Sequence, residues 1–581
     1  MPIVFVAMIV LCLVNLAEVS PSTGVIAGRV IDAGTRAPVA GATVRIALVR
    51  DGKKTWQVDS GASGAFRLEG LPAGQLNVTA WLEGYVEGGF GKRRPRGDSL
   101  SLTLGEFERR EDVTILLFKT ASVSGRIVDE HGQPLAGVPV HAWPPEREFL
   151  GGYMPTTSTR PDGTYWLGHL TPGPYVVVAP IQHTTLRQID PSASPGTVIP
   201  PNTPRRPLER PVGTLYSALP YGLSQPPPAQ DGTPRTYRTT YFPGETNPRE
   251  AEVLQLSSGE TRSQIDFQMR PVRSTTVRGT LVSSRGVAFG AEVSLRTGAE
   301  PHKDLHYEAQ SFAGADGTFT LLDVPVGSYV LQPARYASAG GCDYKLFDFA
   351  GHLTRQPIEV PPEGLNDLVV PLTDGVSASG SIVLRGSSRP PSKVYLEWYS
   401  LERFSDGPVS GGGPLGDGFE MPGLLPGVYE LEASDGAVQQ VWWLESVMAG
   451  GREVGGLPLT VSATGLSGIV VTLTDRPATL SGNVVTFTGQ PASDATVVLF
   501  PADRSTWDTS RPRALRFQTS RTLSGSFTFA SVLPGEYFVT AVEEVTMDDW
   551  PSTSFLARAS ARASRVVIAR GAPSRVTVTL R

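Results

Sequence analysis

The sequence predicts an all-β fold, built as a tandem array of five immunoglobulin-like antiparallel β-sandwiches. Three observations predict it: one block of about 100 residues occurs five times, each block ends in a strand of alternating apolar residues, and 63 glycines and 50 prolines punctuate the chain. Many short strands separated by such turn residues are typical of a sandwich. Because internal repetition decides the architecture, it takes precedence over any single motif.

Each repeat opens with a strand that has one glycine at its centre. The five versions are GVIAGRVID, ASVSGRIVD, TTVRGTLVS, VSASGSIVL and ATLSGNVVT, with their glycines at Gly28, Gly125, Gly279, Gly380 and Gly482.

A central hairpin recurs at fixed spacing. An aromatic residue is followed five positions later by leucine or valine and three positions after that by glycine, as in Phe419, Leu424 and Gly427. Proline lies one or two positions before that glycine, which indicates a tight turn, and a tyrosine such as Tyr429 begins the next strand in four copies. Before the aromatic residue lies a second glycine, such as Gly163, which predicts a turn with positive φ.

Each repeat closes with a strand such as VTVTLR at the end of the chain, whose alternation predicts one buried and one solvated face. The predicted domains are 24–118, 121–270, 275–373, 376–474 and 477–581.

The second repeat is longer than the others, and its excess is the proline-rich insertion 180–248. This composition favours extended polyproline segments over a packed core. We expect a solvated loop here, with a partner-docking arm as the alternative.

Two blocks of the second repeat resemble the carboxypeptidase regulatory-like domain. They are GRIVDEHGQPLAGVPV, residues 125–140, and the D-G-x-Y…L-x-P-G-x-Y-x-V pattern of residues 162–177. The resemblance covers nearly all of the chain after residue 23 and implies a transthyretin-like sandwich of the carbohydrate-binding-like kind. It is strongest to exported bacterial proteins that carry several such domains without an enzyme domain.

The N-terminus predicts export. The apolar run from Ile3 to Val14 has the length of a signal-peptide core and is too short to span a bilayer as a helix. We therefore predict a signal peptide over residues 1–20 and an extracytoplasmic location: periplasm, cell surface or medium. No transmembrane segment is expected beyond the signal. Since Cys12 lies in the signal and only Cys342 remains, no intramolecular disulfide is expected.

Charge and motif patterns argue against nucleic-acid binding and catalysis. The formal net charge of -5 would repel a phosphate backbone. None of the seven histidines has glutamate three residues later, and in HKDLH, residues 302–306, Lys303 replaces the glutamate that a thermolysin-type zinc site needs. The G-D-S-L stretch 97–100 has no D-x-x-H partner for an esterase serine. We predict no catalytic residue, metal or other cofactor.

Tryptophans are the remaining candidates for ligand binding, because exposed indole rings can stack on sugars. Trp442 and Trp443 are adjacent, so in a strand they point to opposite faces, and Trp507 lies in a longer loop. Packing is the expected role of these tryptophans, with one ring of the adjacent pair in a core and the other exposed or at a domain boundary. Ligand binding by Trp442, Trp443 or Trp507 is the alternative. The basic cluster 92–96 is predicted to be a solvated loop, or a contact for an acidic glycan or a phospholipid headgroup.

The sequence therefore predicts a non-enzymatic exported binding or scaffold protein, whose partner is a polysaccharide or a cell-surface protein and not nucleic acid. The alternative is an accessory or adaptor subunit of an outer-membrane or cell-surface protein complex.

Overall fold

The computed structural model confirms the all-β fold: its described residues form ten β-sheets, which pack in pairs as five β-sandwiches along the chain. The predicted signal peptide lies outside the described residues. The chain divides into two compact units, residues 1–119 and 120–581. The structure describes residues 24–49, 51–144, 155–187, 214–219, 223–283, 291–297, 307–314, 316–335, 355–372, 375–401, 409–413, 418–437, 440–492, 495–507, 515–522, 524–543 and 550–580.

Sandwich 1 makes up the described part of the first unit. One sheet has the order β4-β1-β9-β6, and the other has the order β3-β2-β5-β7, with β8 also paired to β5. Inward side chains such as Ile26, Ile46 and Leu117 form its core. The strands are β1 Gly24–Asp32, β2 Thr43–Leu48, β3 Asp51–Asp59, β4 Ala65–Leu71, β5 Gly74–Trp81, β6 Tyr85–Val86, β7 Gly88–Gly89, β8 Ser101–Leu104 and β9 Arg109–Lys119.

Sandwich 2 opens the second unit. One sheet has the order β13-β10-β20, and β21 also pairs with β10. The facing sheet has the order β12-β11-β14-β18, and β19 also pairs with β14. Four of the strands, β15 to β18, lie in the proline-rich insertion. The strands are β10 Ala121–Val128, β11 Pro139–Trp143, β12 Thr156–Ser158, β13 Thr164–Leu170, β14 Gly173–Ala179, β15 His183–Arg187, β16 Leu215–Ala218, β17 Arg235–Thr236, β18 Thr240–Tyr241, β19 Val253–Leu256, β20 Thr261–Arg262 and β21 Phe267–Gln268.

Sandwich 3 combines its own strands with strands of the insertion. Its two sheets are β16-β15-β24-β23-β26-β27 and β17-β22-β25, with β28 paired to β22. The strands that follow the insertion are β22 Val272–Ser283, β23 Ala291–Thr297, β24 Ala309–Phe312, β25 Thr318–Pro325, β26 Gly327–Arg335, β27 Gln356–Val360 and β28 Leu365–Leu372.

Sandwich 4 pairs the sheet β32-β29-β37-β34-β35 with the sheet β31-β30-β33-β36. Its core includes the fully buried Trp398 and the predicted aromatic Phe419. The strands are β29 Val376–Arg385, β30 Val394–Ser400, β31 Val409–Gly413, β32 Phe419–Leu424, β33 Gly427–Ser434, β34 Trp443–Ala449, β35 Arg452–Glu453, β36 Leu459–Val461 and β37 Leu466–Thr474.

Sandwich 5 pairs the sheet β41-β38-β44 with the sheet β40-β39-β42-β43. Strand β39 is buried on both faces, because a second hydrophobic cluster that includes helix α1 covers its outer side. In the described part of the chain, no helix is long and apolar enough to cross a membrane. The elements are β38 Thr479–Val485, β39 Thr496–Pro501, a 3-10 turn Arg504–Thr506, β40 Gln518–Arg521, β41 Ser526–Phe529, β42 Gly535–Val542, α1 Thr553–Ser560, β43 Ser564–Ile568 and β44 Pro573–Thr579.

The repeated glycine of the opening strand has a packing cause. In every copy the opening strand runs parallel to a closing strand, so the sheets are not purely antiparallel. The closing strand approaches the glycine so closely that an added Cβ would overlap one of its carbonyl oxygens, for example that of Val113 at Gly28 and that of Ile469 at Gly380. Only glycine leaves room for this approach.

The repeated tyrosine after the turn closes the hairpin with a hydrogen bond. The hydroxyl of Tyr429 donates to the carbonyl of Leu425 at 2.8 Å, and Tyr537 does the same to Leu533 at 2.8 Å. The corresponding tyrosines of sandwiches 2 and 3 make the same bond four residues back. Sandwich 1, with Leu76 at this position, lacks the bond and buries an apolar side chain instead.

The proline-rich insertion is not a solvated loop throughout, and that prediction is wrong for its four strands β15 to β18. Strand β15 pairs with β24 in parallel, and β17 pairs with β22, so the insertion extends both sheets of sandwich 3. Tyr237 and Tyr241 are buried. The high proline content hid two short runs rich in threonine and tyrosine, HTTLR and TYRTTY, which suit strands.

A polar network that begins at the buried His183 and Thr236 joins the insertion to sandwich 3. The Nε2 of His183 lies 2.9 Å from the hydroxyl of Thr236, which donates to the Oε1 of Gln225 at 3.0 Å. The Nε2 of Gln225 donates to Asp323 of β25 at 3.0 Å. Burial lowers the pKa of His183, so its ring stays neutral inside this network.

Candidate ligand-binding surface

Trp442, the first candidate, lies just before β34 and is a packing residue. Its side chain is 2% exposed and packs in the core of sandwich 4. The indole Nε1 donates to the carbonyl of Arg389 at 3.1 Å. Because both the ring faces and the N–H are used within the fold, this tryptophan cannot stack on a ligand. Its neighbour Trp443 begins β34 and is half-buried.

Trp507, another candidate, is also a packing residue and is not presented to a ligand. It is 4% exposed, and its Nε1 donates to the carbonyl of Pro501 at 2.8 Å. Its ring meets Phe500 edge to face at 5.6 Å, and the guanidinium of Arg504 lies 5.4 Å from its centroid. The loop that suggested exposure instead folds back over β39 and completes the second hydrophobic cluster.

Two of the nine tryptophans are exposed, and neither is among the three candidates predicted from the sequence. Trp81 is 57% exposed and Trp166 is 49% exposed. Trp166 projects outward from β13, and its indole covers Gly168, where an added Cβ would overlap the ring. His169 contacts it edge to face at 6.0 Å. One face of Trp166 is therefore occupied by its own strand.

Trp81 ends β5 and points away from the core. Along this strand Leu76, Val78 and Ala80 are buried, so the alternate residues, including Asn77 and Trp81, point outward. The sequence LNVTAW already indicates this exposure, because the apolar residues alternate along the strand and the tryptophan does not fall on an apolar position.

Polar side chains surround Trp81 across four neighbouring strands. Thr43 lies directly opposite Trp81, and Arg45 lies opposite both Thr79 and Gln57. We call this surface the outer face of sandwich 1. It consists of the outward residues Thr43, Arg45 and Ala47 of β2, Thr55, Gln57 and Asp59 of β3, Gln75, Asn77, Thr79 and Trp81 of β5, and Ser101 and Thr103 of β8.

Hydrogen bonds fix parts of this outer face. The hydroxyl of Thr43 donates to Asp59 at 2.8 Å, and that of Ser101 donates to the Oδ1 of Asn77 at 2.9 Å. Both bonds join neighbouring strands, so the polar groups sit on a rigid sheet and not on a loop.

The basic cluster 92–96 borders the same face. Strand β7 pairs with β5, with Gly89 opposite Thr79, and the chain then turns through residues 90–100. An added Cβ on Gly89 would overlap the Oγ of Ser99, so this loop lies against the outer side of the sheet. The serine of the G-D-S-L stretch is thus a packing residue beside the outer face. Of the basic residues, Arg93 is exposed, and the Nζ of Lys92 donates to the carbonyl of Glu87 at 2.9 Å.

Histidines and acidic groups do not gather into a metal site within the described ranges. The pair His302 and His306 lies outside those ranges. In the second unit His183 is buried and His141 is half-buried, and desolvation lowers the pKa of His141 to about 4.

Comparison with known proteins confirms the resemblance for the first repeat. Residues 25–105 match the family model of the carboxypeptidase regulatory-like domain, and they include the whole outer face of sandwich 1. A search of curated proteins finds no match.

Among solved structures, the chain is similar to a streptococcal ancillary pilin at 14% identity, covering 60% of this chain and 98% of that one, with a TM-score of 0.17. The Bacillus anthracis TIE protein is 13% identical, covering 75% and 69%, with a TM-score of 0.14. The minor pilin GBS52 of Streptococcus agalactiae is 11% identical, covering 43% and 98%, with a TM-score of 0.20. These likenesses are too distant to carry an argument about function.

Proposed function

We propose that this chain is a non-enzymatic exported scaffold protein that binds an extracellular polymer, in the first place a polysaccharide, through the outer face of sandwich 1. One observation carries the proposal: Trp81 presents a largely exposed indole beside amide, hydroxyl and guanidinium groups on a rigid sheet. The apolar faces of a sugar ring stack on an indole, and its hydroxyls hydrogen-bond to such polar groups.

The scaffold part of the proposal is supported by the way adjacent sandwiches are joined in the second unit. Sandwich 3 shares strands with the insertion, and Arg516 of sandwich 5 donates from its Nε to the carbonyl of Gly455 in sandwich 4 at 2.8 Å. Arg570 of sandwich 5 and Glu453 of sandwich 4 form an ion pair at 3.0 Å. Such contacts restrain neighbouring domains, which suits a protein that holds a binding surface in place.

Export and the division into domains 24–118, 121–270, 275–373, 376–474 and 477–581 belong to the same proposal. The apolar run at residues 3–14 supports export, and the repeated motifs support the division.

The experiment is a pull-down of the full chain on insoluble polysaccharides and on cell walls, with Trp81→Ala and Trp166→Ala compared with the unchanged protein. We expect retention on at least one polysaccharide, its loss in Trp81→Ala and its persistence in Trp166→Ala. Retention by a protein partner alone would instead favour the adaptor function. Turnover of an ester, peptide or glycoside by the purified chain would overturn the proposal.

A further inference from the structure

We infer that the outer face of sandwich 1 selects an acidic polysaccharide, with Arg45 binding the carboxylate of a uronic acid unit while Trp81 stacks on a sugar ring. The inference rests on the proposed function, because it names the ligand class of the same surface. Its basis is the position and charge of Arg45.

Arg45 is exposed near the middle of the outer face. It is directly opposite Thr79, and Trp81 lies two residues beyond Thr79 on the same strand. Side chains in this diagonal relation are about 7 to 8 Å apart at their backbones, within reach of one another for long side chains. A single sugar unit, or two adjacent ones, can therefore contact the indole and the guanidinium together.

The charge around Arg45 favours an anion. Across the sheet its neighbours are the uncharged Thr79 and Gln57, and the nearby carboxylate of Asp59 accepts a hydrogen bond from Thr43. Arg45 makes no ion pair with any residue in the described ranges. A guanidinium binds a carboxylate through two parallel hydrogen bonds, which is stronger and more directional than a contact with a hydroxyl.

The basic cluster 92–96 adds to the local potential. It places one lysine and three arginines beside the sheet where Gly89 pairs with Thr79, against acidic residues Glu87 and Asp98 in the same stretch. This excess of positive charge contrasts with the net charge of -5 of the chain. A long acidic polymer that crosses the face would be attracted to both Arg45 and this loop, whereas a neutral one would not.

The test uses one polymer backbone with and without its charge. The full chain is titrated with polygalacturonate and with the same polymer fully methyl-esterified, at low and at physiological salt. We expect the esterified polymer to bind at least about tenfold more weakly, as the loss of a charge-assisted pair implies. Higher salt should reduce binding of the acidic polymer only.

Single-residue variants identify which side chain is responsible for the preference for the acidic polymer. Arg45→Gln should bring the two polymers to within about twofold of each other, since it removes the charge but keeps donors. Trp81→Ala should weaken both polymers. The matched control is Arg278→Gln, which removes an exposed arginine from β22 of sandwich 3 and should leave both affinities unchanged.

The outcomes separate the two claims. If both polymers bind equally well and depend on Trp81, the acidic selectivity is wrong and the proposed function stands. If the acidic preference survives in Arg45→Gln, the selective site lies elsewhere and the inference is overturned. If vesicles of phosphatidylglycerol bind more tightly than polygalacturonate, the ligand is a membrane surface and the inference is wrong. If no polysaccharide of any kind binds, the proposed function itself fails.

Discussion

Trp442 and Trp81 belong to copies of the same sandwich, yet one lies in the core and the other faces solvent. Trp442 is enclosed between two sheets with its N–H bonded to the main chain, whereas Trp81 extends the polar face of β5. The residue type is the same, so composition cannot distinguish them. For Trp81 the cause is phase, because it is out of step with the buried residues of β5, whereas Trp442 precedes β34 and its backbone N–H donates to Asp435.

This contrast separates stability from binding. Changes at buried positions should destabilise their own sandwich, while changes on the outer face of sandwich 1 should leave the fold intact and remove binding. Four predictions test this separation.

The largest effect is expected for Trp442→Ala. Removing a buried indole and leaving the carbonyl of Arg389 without its donor should lower the free energy of unfolding of sandwich 4 by about 3 to 5 kcal/mol. Urea unfolding of the full chain, followed by hydrogen exchange of peptides from residues 376–474, measures it. Trp443→Ala is the adjacent control and should cost less, because its side chain is half-buried. An unchanged transition for Trp442→Ala would mean that this residue is exposed in solution.

The second prediction concerns the pH dependence of stability, which should differ between sandwich 2 and sandwich 1. Because the pKa of His141 in the fold is about 4, well below its ordinary 6.5, the unfolded chain takes up a proton first as the pH falls. Stability is therefore complete above pH 6.5 and decreases toward pH 4, by about 3 kcal/mol in total.

Sandwich 1 provides the comparison, since residues 24–118 contain no histidine. Pulse proteolysis in urea at pH 7, 6 and 5 should show a fall for sandwich 2 that is absent from sandwich 1 and reduced by His141→Gln. Equal losses in the two sandwiches would assign the pH dependence to other groups.

Tyr429→Phe should have a smaller effect of about 1 kcal/mol on sandwich 4. It removes one hydrogen bond, to the carbonyl of Leu425, and keeps the buried ring. Thermal unfolding detects such a change. A loss as large as that of Trp442→Ala would show that the hydroxyl bond contributes far more than one ordinary hydrogen bond. We do not expect this, because sandwich 1 has the buried Leu76 at the same position and folds without the bond.

The smallest effect on stability is expected for Trp81→Ala, within about 0.5 kcal/mol, because the side chain is exposed. The same variant should lose polymer binding. Calorimetric unfolding and titration of one preparation check both at once. Loss of binding together with loss of the sandwich 1 transition would show only that Trp81 maintains the fold.

The sequence was sufficient for the fold where a physical constraint recurs at fixed spacing. The opening glycines and the turn glycines each meet a local packing or turn requirement in all five copies, and the tyrosines after the turn do so in four. These recurrences made the repeat recognisable in the sequence. The parallel pairing of opening and closing strands was not predicted, because alternation is the same in parallel and antiparallel strands of a half-buried sheet.

The candidate site was harder to predict. Adjacency of Trp442 and Trp443 indicated that their rings point to opposite faces, but not which of the two lies in the core. The backbone N–H of Trp442 donates to Asp435, and it is this first ring that points inward. For Trp507, burial depends on a helix about 50 residues later in the chain, α1, which packs on the same cluster. For β15 and β17 of the insertion, the ladder partners β24 and β22 lie in the following repeat. Such long-range contacts leave no local periodicity to detect.

The central claim is that Trp81, and not the buried tryptophans, meets the polymer. The most direct measurement is oxidation of tryptophan in the native full-length chain with a limiting reagent, mapped by peptide mass spectrometry with and without polygalacturonate. We predict that Trp81 and Trp166 react first and that the polymer protects Trp81 while Trp166 stays reactive. Early oxidation of Trp442 or Trp507, or protection of Trp166 with Trp81 still reactive, would contradict the account.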